Sequence, residues 1–299
     1  MVEKLGSYIN GNYKVTIYED GTKVRFTKDD DFIPDFSENC DVKLTDKCSM
    51  GCPWCYEGCT PAGAHANLLS KDVLNIIESL HPYTEIALNG NDMDHPQLLE
   101  FLVKLNEKNV IPNITVNAKQ FVDNFEKIKT LKDNDMIYGI GISYNKEDRE
   151  CIRLASMLKD TVFHTIVGVT SPKIYSELIN NRCKVLILGY KELQRGISFK
   201  ESNKEFEIFM KWLKDNLNYL INNAEVVSFD NLALEQLDVK SHLTDKEWET
   251  FYMGDDGSFT FYIDLVKMEY AKNSLSKERF PIKGKNIDEM FKHIKSLKQ

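Results

Sequence analysis

From Cys40 to Tyr190 the chain repeats one pattern: a short strand-like apolar run, then a longer run with apolar residues at helical spacing. The strand-like runs are CDVKLT, TEIALNG, NITVNA, MIYGIGIS, TVFHTIVGV and CKVLILGY. Between them fall SKDVLNIIESL, HPQLLEFLVKLNEK, KQFVDNFEKIKTL, KEDRECIRLASML and SPKIYSELIN. Strands separated by whole helices cannot pair as hairpins. They need crossovers, which join parallel strands and lay helices on the outside of the sheet. The sequence therefore predicts an α/β fold, a partial (βα)6 TIM-like barrel. Helix starts carry the expected signals: Ser70 caps the run after the first strand, and Ser171-Pro172 opens another.

The barrel is expected over residues 38–240, with flanking segments on both sides. In residues 1–37, YKVTIYEDGTKVRFT gives two alternating runs around Asp20-Gly21, the signature of a β-hairpin. Residues 241–299 predict an α+β extension: a helix in TDKEWETFYM, a hairpin-like stretch in GDDGSFTFYIDLV and a final helix in NIDEMFKHIKSLK. Before that extension, EFEIFMKWLKDNLNYLI predicts one long helix. A net charge of -8 disfavours nucleic-acid or anionic-membrane surfaces, which draw affinity from clustered Lys and Arg. No run approaches the ~20 apolar residues of a membrane span, and the N-terminus lacks a secretory pattern, so a cytoplasmic protein is expected.

Four of the seven cysteines lie between Cys48 and Cys59. They are too close together for a disulfide framework and suggest metal ligands in a reducing compartment. Cys40, Cys151 and Cys183 are expected to be buried free thiols. The run Cys48-Ser-Met-Gly-Cys52-Pro-Trp-Cys55 follows the first barrel strand, at the carboxyl end where α/β folds bind ligands. Gly51 and Pro53 suit a loop curved tightly enough to turn three sulfurs inward. Three thiolates are one fewer than a [4Fe-4S] cluster usually takes, which leaves an iron open to another ligand. A structural zinc site with Cys59 as fourth ligand is the alternative, though zinc ribbons pair two separated knuckles and no second knuckle exists.

Cys-x3-Cys-x2-Cys, with Trp54 before the last cysteine and Tyr56 after it, resembles the radical S-adenosylmethionine (radical SAM) superfamily. The resemblance spans roughly residues 40 to 240 and extends to CPWCYEG, ILGYKELQRG and FYMGDDGSFTFYIDLVK, which are similar to a phage- and bacterium-associated group of that superfamily. It implies that Cys48, Cys52 and Cys55 hold a [4Fe-4S] cluster and that S-adenosylmethionine binds its fourth iron. Reductive cleavage then gives a 5′-deoxyadenosyl radical that takes hydrogen from a substrate. It further implies cofactor contacts from Trp54 and Tyr56, from Asn89, Gly90 and Asn91 where the superfamily has Gly-Gly-Glu, and from the strand ends at Asn117 and Ser143. Gly168 on the fifth strand is expected to admit the adenine closely.

Lys191 and Arg195, just past the sixth strand, are placed for an anionic substrate or the cofactor carboxylate. His164, inside an apolar strand, is read as a core histidine. No cysteine follows Cys183, so a single cluster is expected. The implied partners are an electron donor of flavodoxin or ferredoxin type and a peptide, protein or small-molecule substrate. A non-catalytic iron-sulfur or zinc-binding protein that keeps the fold is the competing reading.

Overall fold

The computed structural model describes residues 2–89 and 92–297. It begins with an antiparallel meander, β1 (Lys4–Asn10), β2 (Tyr13–Tyr18) and β3 (Lys23–Phe26), paired in chain order. The Asp20-Gly21 turn joins β2 to β3 as expected, but the sequence did not mark β1. Its Gly6 sits at a register break, and Tyr83 packs where a Cβ would stand.

One large sheet carries the rest. Its strands are β4 (Asn39–Lys43), β5 (Glu85–Asn89), β6 (Ile111–Asn117), β7 (Ile140–Ser143), β8 (Thr161–Ile166), β9 (Lys184–Leu188), β10 (Val226–Phe229), β11 (Thr260–Asp264), β12 (Glu269–Ala271) and β13 (Phe280–Pro281). The order is β10-β9-β8-β7-β6-β5-β4-β11-β12-β13, and the members from β10 to β11 are parallel. The fold is thus mixed α/β around a mostly parallel sheet. Among the described residues no ladder joins its two edges, and no closed barrel is seen.

Beyond the six expected strands, β10 and β11 extend the parallel array on either side. The stretch GDDGSFTFYIDLV is a correction: it forms a single strand, β11, laid parallel to β4. Its hairpin partner is β12, because Asp264 turns the chain by accepting from the backbone N–H groups of Val266 and Lys267. The expected long helix is also two, Phe206–Asp215 and Leu217–Asn223, broken where the Asn216 side chain donates to the Trp212 carbonyl.

Alternation along the parallel strands separates two environments. Cys40, Val42, Ile86, Leu88, Ile114, Val116, Ile140, Ile142, Phe163, Val185 and Ile187 are buried in one core with helix residues such as Val73, Phe101, Ile128 and Leu178. Burial of each large aliphatic side chain contributes about 1.5–3 kcal/mol. The other face lines a cavity. The helix starts behave as read: the Ser70 hydroxyl accepts from Val73 N–H at 3.4 Å, and Pro172 opens its helix. No helix among the described residues is long and apolar enough to cross a membrane.

The meander packs Tyr13, Val15 and Ile17 against Ile111 at the amino end of β6, beside Tyr83 and Tyr138. Glu38, fully buried, fixes it there through Arg25, Lys23 and the Tyr13 hydroxyl. Arg25 also lies 3.9 Å from the centre of the Phe259 ring.

Candidate functional site

A cavity of about 1520 Å³ lies against the inner face of the parallel strands. Alternate residues line it: Asp41 and Lys43 on β4, Ala87 and Asn89 on β5, Asn113, Thr115 and Asn117 on β6. Gly141 and Ser143 of β7, His164 of β8, Leu186 of β9 and Ser228 of β10 continue the wall. Toward the amino ends of the strands the meander turn, residues 18–22, contributes. Toward the carboxyl ends the cysteine loop does, with Cys48, Cys52, Cys55 and Cys59 all on the lining.

The loop is held from below and from the side. Its root pairs with its return: Asp46 N–H donates to the Ala64 carbonyl, Cys48 N–H to Thr60 and Ala66 N–H to Leu44. Gly51 turns with φ +61, a backbone value that side chains disfavour, and Cys55 N–H closes back onto the Cys52 carbonyl at 3.2 Å. Beneath it, the buried Lys43 ammonium meets Asp46 at 2.5 Å, Glu57 at 2.6 Å and Asp264 at 3.6 Å. Burial opposes that charge, but Glu57, Asp46 and Asp264 outweigh it and hold the ammonium above its ordinary value. From the side, Arg195 donates to the Cys52 carbonyl from Nε and to the Cys59 carbonyl from Nη1, both at 3.0 Å. The residue read as an anion receptor thus secures the cysteine loop.

The thiols interact with one another. The interaction between Cys59 and Cys55 holds Cys55 below its ordinary range and pushes Cys59 up, while burial raises Cys48 and Cys52. Among the described residues no group of three or more His, Cys, Asp or Glu side chains is already gathered as a metal site. The donor set nevertheless fits an iron-sulfur cluster. Three thiols from an eight-residue loop face one cavity, they act on one another electrostatically, and the Arg195 charge that favours their thiolates is alongside. Cys40 and Cys151 are buried with thiols pushed up to about 12, and Cys183 to about 11, as inert cysteines are.

Of the other sequence-derived positions, Asn89, Asn117, Ser143, Trp54, Tyr56 and Lys191 share the cavity. Asn117 has a second task, since its side chain caps the helix Ala118–Asp123 through Lys119 N–H at 3.0 Å. Trp54 also packs edge-on against Phe199. Burial pushes the Tyr56 hydroxyl up to about 12, and its ring lies 4.2 Å beneath the Lys191 ammonium, which donates to Ser274 Oγ at 3.1 Å. Burial works against the Lys191 charge, but Tyr56, Asp230, Asp41 and Glu57 hold it above its ordinary value. Gly168 is not on the cavity lining. A Cβ there would meet the Phe206 ring at 2.4 Å, so packing accounts for that glycine. Gly90 and Asn91 lie outside the described residues.

Two cavity residues escaped the sequence reading. His164, taken as a core side chain, lies over Gly141, whose missing Cβ leaves room for the imidazole; burial pushes it down to about 4, so it is neutral at pH 7. Asp41 projects from mid-β4 into the cavity. The signal was present in CDVKLT: Asp41 and Lys43 alternate with Cys40, Val42 and Leu44, and a barrel interior filled by its own core would be apolar at both.

No protein-family model matches the sequence, and no curated protein matches it. The fold is similar to that of SuiB from Streptococcus suis. The SuiB structure bound to S-adenosylmethionine aligns at TM-score 0.59 with 14% identity, covering 89% of this chain and 69% of that one. The SuiB structure bound to its precursor peptide SuiA aligns at 0.57 with 13% identity, covering 89% and 68%. At such identities the likeness is one of fold.

Proposed function

We propose that this protein is a radical SAM enzyme. Cys48, Cys52 and Cys55 would hold a [4Fe-4S] cluster with one iron left for S-adenosylmethionine, and hydrogen abstraction would take place in the cavity below. The observation that carries the reading is the placement of these thiols at the carboxyl end of the first parallel strand, over a cavity lined by polar residues from successive strands. The SuiB fold, one example of which contains S-adenosylmethionine, supports it. We further infer that the parallel strands curve as a partial barrel. Asn231 and Asn273 both donate to Asp256, at 2.7 and 2.6 Å, tying the helix after β10 to the segments on either side of the β11–β12 hairpin.

A cluster held by Cys48, Cys52 and Cys55 would supply one-electron reduction of S-adenosylmethionine, the source of a hydrogen-abstracting radical. The chain's own residues do the rest. Lys43 and Arg195 hold the loop that carries the thiols, Lys43 through Glu57 and Arg195 through the Cys52 carbonyl. Asn89, Asn117 and Ser143 offer hydrogen bonds at successive strand ends, where the cofactor's amino acid and ribose are expected. Trp54 and Tyr56 line the cavity beside the cysteine loop, where a bound cofactor would meet them, and the meander turn lines its far end. A flavodoxin- or ferredoxin-type donor would supply the electron, and the substrate would be a peptide, protein or small metabolite.

Anaerobic reconstitution followed by dithionite reduction with S-adenosylmethionine tests the reading. It expects 5′-deoxyadenosine from the native protein and none from Cys52→Ala. A fully loaded native protein that forms no 5′-deoxyadenosine refutes it.

A further inference from the structure

Below the cysteine loop, one charged group on the cavity wall is unmatched. Asp41 lies mid-strand, in register with Ala87 of β5 and Tyr262 of β11. It is one pleat, roughly 6.6 Å, deeper than Lys43. The Lys43 ammonium is consumed by Asp46, Glu57 and Asp264. The Asp41 carboxylate has neither hydrogen bond nor ion pair with any described residue. Lys191 acts on it only at a distance, being held by Ser274 over the Tyr56 ring. The cavity walls raise the Asp41 carboxyl above its ordinary range even though the side chain opens to solvent; Lys191 offsets part of this, and the negative potential of Asp256 and Asp230 adds to it.

Asp41 opens into the cavity, so its carboxylate is accessible to a ligand, and an accessible carboxyl group in a cleft whose titration is shifted by its surroundings is a functional-site candidate. A divalent metal does not meet the need, since it takes several oxygen ligands and no such group surrounds Asp41 among the described residues. Cofactor contacts are expected at the strand ends, the level of Lys43 and Asn89, which are register partners. Asp41 lies below that level, facing the volume left for substrate, and the Ala87 methyl beside it leaves space for an incoming group.

We propose that Asp41 is the recognition point for an organic cation, the ammonium or guanidinium group of the substrate. The proposal rests on the reading of this cavity as the reaction chamber. It names a substrate class: molecules whose reacting carbon lies near a positively charged amine or guanidine, with Asp41 setting which carbon faces the cofactor.

The test uses full-length, cluster-loaded protein with S-adenosylmethionine present and four probes, Ac-Gly-X-Gly-NH2 with X as Lys, Arg, Gln or Glu. Calorimetric titration is expected to show the Lys or Arg probe bound about tenfold or more tightly than the Gln probe, the factor one charge-assisted hydrogen bond supplies. The Lys and Arg arms separate ammonium from guanidinium recognition. Asp41→Asn, which removes only the unmatched charge, should erase the preference, and Asp41→Lys should reverse it toward the Glu probe. S-adenosylmethionine affinity, titrated separately, should stay within about twofold in Asp41→Asn. Equal binding of all probes, binding of none, a preference that survives Asp41→Asn, or an equal loss of S-adenosylmethionine affinity would each overturn the proposal. 5′-Deoxyadenosine formation is read in the same samples. Its absence with selectivity intact refutes the radical reading alone, and lost selectivity with cleavage intact refutes this one alone.

Discussion

Replacing Lys43 with Met tests whether the cysteine loop is held from beneath by charge. The Lys43 and Asp264 side chains are each 3% exposed, whereas Glu57 and Asp46 are 21% and 28% exposed. Removing one partner from a buried pair costs about 3–5 kcal/mol, because the other charge is stranded. Here Glu57 and Asp46 can rehydrate, and Asp264 keeps its two backbone N–H donors at 2.9 Å. The expected loss is therefore about 2–4 kcal/mol, and at roughly 2–4 °C per kcal/mol for a chain near this size the melting temperature falls about 4–16 °C. The folded ammonium is held above its ordinary value, so this contribution is fully present at neutral pH and lost only in strong alkali. Calorimetric melting of the metal-free protein at pH 7, with hydrogen exchange over residues 44–66, reads both stability and loop order. The double variant Lys43→Met/Asp264→Asn should recover part of the loss, since it no longer strands a buried carboxylate. A melting temperature for Lys43→Met within about 1 °C of the native value would refute the reasoning.

Arg195→Gln deletes two charge-assisted hydrogen bonds to the Cys52 and Cys59 carbonyls. Discounted for partial exposure it should cost about 1–2 kcal/mol and quicken amide exchange in the cysteine loop more than elsewhere; uniform exchange would contradict this. Gly141→Ala places a methyl 2.3 Å from the His164 ring. It should destabilise by about 1–3 kcal/mol in a thermal melt, and adding His164→Ala should relieve most of that. The cavity walls raise the Asp41 carboxyl to about 6, but the side chain opens to solvent, so its ionisation disfavours the fold only modestly as pH rises from about 4 to 6. Melts of Asp41→Asn should match the native protein near pH 4 and exceed it increasingly up to pH 6 and above; a pH-independent difference would count against the assignment.

The parallel array was legible because a strand-helix period survives in composition alone: each of β4 to β9 overlaps one of the six runs marked by apolar residues and bounded by caps such as Ser70, although β4 and β6 begin one and two residues earlier. What escaped depends on partners distant in sequence. β11 reads as half of a hairpin until Thr260–Asp264 is laid beside Asn39–Lys43, and nothing local announces a parallel neighbour more than 200 residues away. β1 is too polar to stand out, and Gly6 looks like a breaker although Tyr83 fills the space it leaves. At the site, spacing brought the loop cysteines into view together, whereas Arg195, read as placed for an anion, donates to two carbonyls of the cysteine loop. Its targets are backbone carbonyls, which no residue type encodes. Gly168 suggested ligand access, yet the ring it accommodates, Phe206, lies far along the chain.

Everything in this account turns on how the loop sulfurs ligate metal. The most direct measurement is electron paramagnetic resonance of the reduced, anaerobically reconstituted protein with and without S-adenosylmethionine, alongside Cys59→Ser. The account predicts a [4Fe-4S] signal that shifts when the nucleotide is added and that persists in Cys59→Ser. Zinc held by all four sulfurs of the loop, or a cluster signal indifferent to the nucleotide, would contradict it.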